Sequence, residues 1–341
     1  MIFKLNLPSI RLSAFSVFTS AVLAFPCIGF AQNSNQLFAT INEFTGSVTA
    51  PTFVAEIDLN SATPTVNPIF NVPLPPGTDF DTDQARDLLV DDMGNVFLYN
   101  GTFDPSLLTR TASTGVITQT TTSFLEFSSI NNSTFGGIGR LGDFLFLSDQ
   151  DTNGSPNQGV VRLDLNTNNI FRFGANLEPQ DINIGLDGTL LAIDGAGSPN
   201  SEVFRFDPIT GNQLSVVSVP FADHRAVAGL ADGTFLTARL DGLISHFDLN
   251  GNLINSLQVD GANFSDIDIA ADGQVALGTA SDGDIVLTTT DLNSFQQFNT
   301  GNNGDVFVTF ATDFGAVPEP SSAALLIGLG IPFALRRRKN G

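Results

Sequence analysis

The sequence predicts an all-β chain folded as a six-bladed β-propeller, its ring closed by pairing of the first and last strands. Three observations carry this. Short strand-like runs separated by Asp-Gly and Asn-Gly turns fill residues 32–316, and no stretch sustains a helical period. One hairpin pattern recurs every 40 to 48 residues. A second strand pattern recurs out of phase with the first, so each period holds four strands, the size of a propeller blade.

The hairpin series reads Leu88-Leu89-Val90-Asp91-Asp92-Met93-Gly94-Asn95-Val96-Phe97, with copies at 182–191, 227–236 and 267–276 and a degenerate copy at 139–145. Its glycines, Gly94, Gly142, Gly188, Gly233 and Gly273, are spaced by 48, 46, 45 and 40 residues. Asp-Gly between two apolar runs supplies the positive φ angles of a tight turn, so each copy predicts two adjacent antiparallel strands. The second series comprises Glu56-Ile57-Asp58-Leu59-Asn60, Arg162-Leu163-Asp164-Leu165-Asn166, Phe204-Arg205-Phe206-Asp207-Pro208, His246-Phe247-Asp248-Leu249-Asn250 and Thr289-Thr290-Asp291-Leu292-Asn293, with Thr109-Arg110-Thr111 as a weaker member. A further strand follows each. The chain enters its first blade at the second strand position, residues 37–41, and ends on a lone strand, residues 305–310, with no hairpin partner. That strand predicts the innermost position of blade one and removes a free sheet edge. A β-sandwich or a parallel solenoid is the competing architecture, but two hairpin types per 40-residue period fit neither. The blade rhythm resembles six-bladed propellers of the NHL and gluconolactonase-like type. The chain has no Trp, which argues against propellers built on a Trp-Asp repeat.

Charge is distributed unevenly. The whole chain carries a net −21, from 35 acids and 14 bases. Residues 32–316 hold 34 of those acids against eight Arg and no Lys, a net of −26. Such a surface repels phosphate backbones and disfavours nucleic acid as a partner. The sole Cys27 falls outside that body, which excludes disulfides, thiolate metal sites and Cys or Lys covalent chemistry within it.

The ends predict export. Residues 1–31 carry Lys4 and Arg11 ahead of an apolar run and finish Gly29-Phe30-Ala31, the layout of a secretory signal helix cut before Gln32. Residues 317–341 carry Pro318-Glu319-Pro320, then thirteen apolar residues, 323–335, then Arg336-Arg337-Arg338-Lys339. Thirteen helical residues reach about 20 Å, short of the roughly 30 Å hydrocarbon core, so this transmembrane helix spans only with snorkelling arginines or local thinning. The basic cluster stays cytoplasmic and leaves the acidic body outside. These three parts in this order resemble the PEP-CTERM sorting signal of bacterial envelope proteins. The resemblance implies handling by the Sec translocon and signal peptidase, then by an exosortase that cleaves near Pro-Glu-Pro. The protein would be anchored transiently in the inner membrane, then released to the cell surface or matrix.

In a propeller, the loops before each innermost strand share one face around the channel. They present Arg86 and Asp87, Asp181, His224 and Arg225, Asp266, and Asp305. Convergent polar groups at a concave site predict ligand binding; mutual pairing of these groups in a solvated funnel is the plainer alternative. His224, flanked by Asp223 and Arg225, is the better of two candidate general bases. Asp149, Asp151 and Asn153 place oxygen ligands at alternate positions before Gly154, a calcium-binding rhythm, though Val160 stands where a bidentate Glu would complete the loop. An Asx-rich turn without an ion is the alternative. No Gly-x-Ser-x-Gly elbow occurs. These features favour an exported, non-enzymatic propeller that binds exopolysaccharide or another envelope component. The alternative is a metal-dependent lactonase or esterase, whose metal ligands the gluconolactonase-like resemblance implies without fixing them on this chain.

Overall fold

Alternating apolar and polar residues between glycine turns produce 24 strands among the described residues of the computed structural model. These residues are 32–42, 52–60, 63–73, 85–100, 106–121, 136–149, 158–175, 177–194 and 200–312. The signal segment, the sorting residues Pro318, Glu319, Pro320, Arg336, Arg337 and Arg338, and the proposed calcium ligands Asp151 and Asn153 lie outside them. Among the described residues there is no helix, and so none long and apolar enough to cross a membrane.

The strands form six four-stranded antiparallel sheets. Blade 1 takes β1 (Gln32–Ile41), β2 (Phe53–Asp58) and β3 (Thr65–Asn71). Blade 2 is β4 (Ala85–Val90), β5 (Val96–Asn100), β6 (Ser106–Arg110) and β7 (Ile117–Thr121). Blade 3 is β8 (Ile138–Leu141), β9 (Phe144–Asp149), β10 (Gly159–Asp164) and β11 (Ile170–Phe173). Blade 4 is β12 (Asp181–Ile184), β13 (Leu190–Asp194), β14 (Ser201–Phe206) and β15 (Gln213–Val219). Blade 5 is β16 (His224–Gly229), β17 (Phe235–Arg239), β18 (Leu243–Phe247) and β19 (Leu253–Gln258). Blade 6 is β20 (Phe264–Ile269), β21 (Gln274–Thr279), β22 (Asp284–Thr289) and β23 (Gln296–Asn299). The last strand, β24 (Val306–Thr312), joins the inner edge of blade 1 by pairing antiparallel with β1. Closure therefore takes the predicted form, with β1 starting five residues earlier than residue 37 through a register shift between Asn33 and Leu37.

The predicted hairpins form, and their hydrogen bonds define the turn. Gly188 N–H donates to Gly185 C=O, and Gly185 N–H donates to Thr189 C=O; Gly233 and Gly273 repeat the pattern. Only the glycine of each Asp-Gly pair has positive φ, +77° at Gly188, +83° at Gly233 and +88° at Gly273. One left-handed residue after an i→i+3 bond marks a type I turn with a bulge rather than a type I′ pair. The acids of the second series cap the turns between the third and outermost strands. Asp58, Asp164, Asp207, Asp248 and Asp291 each accept bonds from residues two to four positions along.

Six apolar clusters fill the ring, one at each junction between neighbouring blades. Phe fills them in place of Trp. Phe146, Phe206, Phe235, Phe247, Phe264 and Phe310 are fully buried, each worth roughly 1.5–3 kcal/mol of transfer free energy. The innermost strands β24, β4, β8, β12, β16 and β20 thereby stand side by side around one axis. Their first residues meet at one end of the channel, the mouth; the Asp-Gly turns lie at the other.

Candidate functional site at the channel mouth

Asp87, Asp181 and Asp266 stand seven residues before Gly94, Gly188 and Gly273, the same position in blades 2, 4 and 6. Each is buried, and each carboxylate spans two blades. One side of the group receives the next residue's own N–H, from Leu88 (2.6 Å) at Asp87 and Ile267 (2.8 Å) at Asp266, with Ile182 playing that part at Asp181. The other oxygen accepts an N–H from the following blade: Ile138 (2.8 Å), Val227 (2.8 Å) and Val308 (2.6 Å) respectively. Residues Gly137, Ala226 and Phe307, immediately before those donors, fill the equivalent positions of blades 3, 5 and 1. Carboxylate and non-carboxylate thus alternate around the ring. At Gly137 a side chain would collide with Ile182 N and Asp181 Oδ1, so this junction closes only because the position lacks a Cβ.

A second tier repeats the device two residues on. Asn183 Oδ1 accepts from Gly229 N–H (3.3 Å), and Asp268 Oδ2 accepts from Phe310 N–H (2.8 Å) and the Thr309 hydroxyl (3.2 Å). Burial, then repulsion from Asp266 and Asp181, holds the Asp87 carboxyl well above the usual range. Asp181 is raised by burial and by Asp266, and Asp266 is pushed up to about 7 by burial, with Asp268 adding to it. The three acids expected to ring the mouth are therefore buried clasps between neighbouring strands, close enough to feel one another's charge.

The remaining mouth residues are polar, and each has a partner of its own. Arg86, from blade 2, is buried beside Asp305, which precedes β24; burial lowers the guanidinium to about 10 against the opposing pull of Asp305. Asp305 is raised by burial, offset by Arg86, and accepts from Ser281 N–H (2.9 Å). Arg225 donates to Gln180 Oε1 (2.7 Å), joining blades 5 and 4. His224 is fully buried. Its ring packs edge-on against Phe247, centroids 6.3 Å apart, and its Nε2 lies 3.1 Å from the Pro220 carbonyl. That contact requires Nε2–H and leaves Nδ1 buried with no hydrogen-bond partner among the described residues. Burial pushes the imidazole down to about 4, so it is neutral near pH 7.

Asp149, the described member of the expected calcium set, is buried and paired with Arg172 Nη1 at 2.5 Å. Among the described residues no three His, Cys, Asp or Glu side chains converge as metal ligands. Beyond the clasps, a recess of about 30 Å³ is lined by Leu89, Ile138, Arg140, Asn183, Asp268 and Thr309. That is room for a water or two and too little for a sugar. Asn183, Asp268 and Gln180 are not among the sequence candidates. A shared position relative to the turn glycine links Asn183 with Asp268, whereas nothing in the sequence marks Gln180.

No family model and no curated protein matches the chain. Among solved structures, catalytically inactive virginiamycin B lyase from Staphylococcus aureus with quinupristin is 14% identical, covers 84% of this chain and 95% of its own, and superposes with a TM-score of 0.50. Selenomethionine-substituted virginiamycin B lyase from Staphylococcus aureus is 13% identical over 84% of this chain and 91% of its own, with a TM-score of 0.49. A streptogramin B lyase is 12% identical over 77% and 87%, also at 0.49. At such identity the likeness extends to the propeller fold and to no particular chemistry.

Proposed function

We propose that the chain is an exported surface or matrix protein, a non-enzymatic propeller that takes exopolysaccharide or another envelope component at its channel mouth. The observation that carries the reading is the placement there of two polar pairs drawn from four blades, Asp305 with Arg86 and Gln180 with Arg225. Multiple fixed donors and acceptors at a concave end suit a hydroxyl-rich partner. The export route rests on the signal pattern of residues 1–31 and on the order Pro-Glu-Pro, apolar run, Arg cluster in the tail.

The competing reading is a metal-dependent lactonase or esterase using the Asp, His and Arg set. A general base needs an accessible lone pair, and the buried, neutral His224 bound to Pro220 gives that reading little support. A glycan microarray probed with the purified protein, run beside a lactone and ester screen with and without chelator, separates the two. Glycan binding without turnover is the expected result. Turnover abolished by chelation or by His224→Ala would sink the binding reading. Mature protein that retains Arg336 to Arg338 in cells with an active exosortase would refute the sorting route.

A further inference from the structure

The loop from β15 to β16, residues 220–223, holds its backbone where its residues disfavour it. Phe221 has φ +76° and Asp223 φ +65°. For a bulky residue a left-handed backbone is a genuine outlier, kept only where the surroundings over-determine it. Three hydrogen bonds do so: the His224 ring to Pro220 C=O (3.1 Å), Ser201 N–H to Phe221 C=O (3.0 Å) and Leu240 N–H to Asp223 C=O (3.4 Å). Phe221 is 57% exposed, on the mouth side of blade 5. The Arg239 guanidinium covers one face, 4.9 Å from the ring centroid, and also pairs with Asp241 at 2.9 Å. The Arg239 Nε is buried with no hydrogen-bond partner among the described residues.

We propose that Phe221 is a stacking platform for the apolar face of a pyranose ring in a neutral polysaccharide, with Asp223, Arg239 and Asp241 meeting its hydroxyls. This rests on the reading of the mouth as a carbohydrate site and names where and how the sugar sits. The electron-rich ring face attracts the weakly positive C–H groups of a pyranose. Exposed carboxylates accept from its hydroxyls, and a guanidinium donates to them. The net −26 of residues 32–316 repels polyuronates and selects a neutral polymer. The buried His224 is then a positioning residue, whose ring fixes the platform loop through Pro220.

The test uses the full-length chain with cellohexaose and laminarihexaose as neutral probes and an alginate hexamer as the charged one, measured by calorimetry. A neutral hexasaccharide binds, and Phe221→Ala weakens it by about ten-fold or more while leaving the thermal midpoint near wild type. Because the chain has no Trp, Phe221→Trp introduces a single indole that keeps binding and whose emission changes on adding the bound sugar. Wild-type affinity in Phe221→Ala, or an indole unmoved while calorimetry shows binding, overturns the platform and leaves the mouth reading standing. Preference for the alginate hexamer overturns the neutral class. Failure of every sugar to bind the wild-type chain overturns the platform together with the reading beneath it.

Discussion

A carboxylate at the clasp position does what an amide cannot. Asp266 accepts from Ile267 on one oxygen and from Val308 on the other, whereas an Asn offers one acceptor and would turn its NH2 toward the second donor. Asn183 shows the limit, accepting a single cross-blade bond at 3.3 Å. The second acceptor comes with a buried negative charge, and burial, with Asp268 adding to it, raises the Asp266 pKa to about 7. An acid with its folded pKa above its unfolded value of 3.8 binds more protons folded than unfolded between those limits. Its contribution to stability is therefore greatest below about pH 4 and declines as pH rises through 7. His224 works in the opposite sense: its folded pKa of about 4 means stability is lost as pH falls from 6.5 through 4. Wild-type stability sums these opposing slopes, so the informative quantity is a difference between variants. Asp266→Asn should be more favourable relative to wild type at pH 8 than at pH 5, by on the order of a few kcal/mol. Urea denaturation at both pH values measures it, and a difference independent of pH would show that Asp266 is not titrating in the folded protein.

At the scale of the hairpin, turn chemistry is local, which is why it was legible. A turn glycine at a fixed offset from apolar runs located five inner hairpins, three of them as Asp-Gly, and Asp-x-Asn located four of the outer turns, because every partner lies within four residues. The turn type was not legible, since the same dipeptide serves a type I′ turn or a type I turn with a bulge. With positive φ confined to glycine, one position per hairpin bears the constraint. Gly273→Ala forces a Cβ into φ +88° and should cost about 1–2 kcal/mol, with Gly273→Asn recovering part of the loss. Equal stability of Ala and Asn variants in urea melts would contradict the assignment. The clasps were hidden for the opposite reason. Their donors are backbone N–H groups some 40 to 50 residues away, which carry no side-chain signature, so in the sequence Asp87, Asp181 and Asp266 show only as polar groups at the mouth, open to a ligand or to pairing with one another. Phe221 was hidden because nothing in a sequence marks a non-glycine residue held at positive φ.

Across the whole molecule, each bond between blades is a constraint on a ring, and the arginines of the acidic body share in it. Arg205 ties Asp187 of blade 4 to the Gly233 carbonyl of blade 5, Arg162 reaches from blade 3 to the Pro208 and Ile209 carbonyls of blade 4, and Arg110 lies over Phe70 of blade 1. The planar guanidinium fork serves carbonyls and ring faces together, which an ammonium does less well. The junction of blades 6 and 1 carries both tiers as acids, Asp266 to Val308 and Asp268 to Phe310. Removing Val306–Thr312 would strip at once the β1 ladder, the β24 side of two apolar clusters, and the donors to two buried carboxylates. An open solenoid loses a terminal repeat and keeps most of its stability, because repeats contact only their neighbours. A ring has no terminal repeat to lose, so the break exposes the inner edges of blades 6, 1 and 2 together. The truncated chain should lose the cooperative urea transition and bind a hydrophobic dye, and a synthetic peptide of residues 305–312 should restore the transition in part. Retention of a wild-type transition by the truncated chain would show that the six junctions act independently and that closure adds little to the stability of the ring.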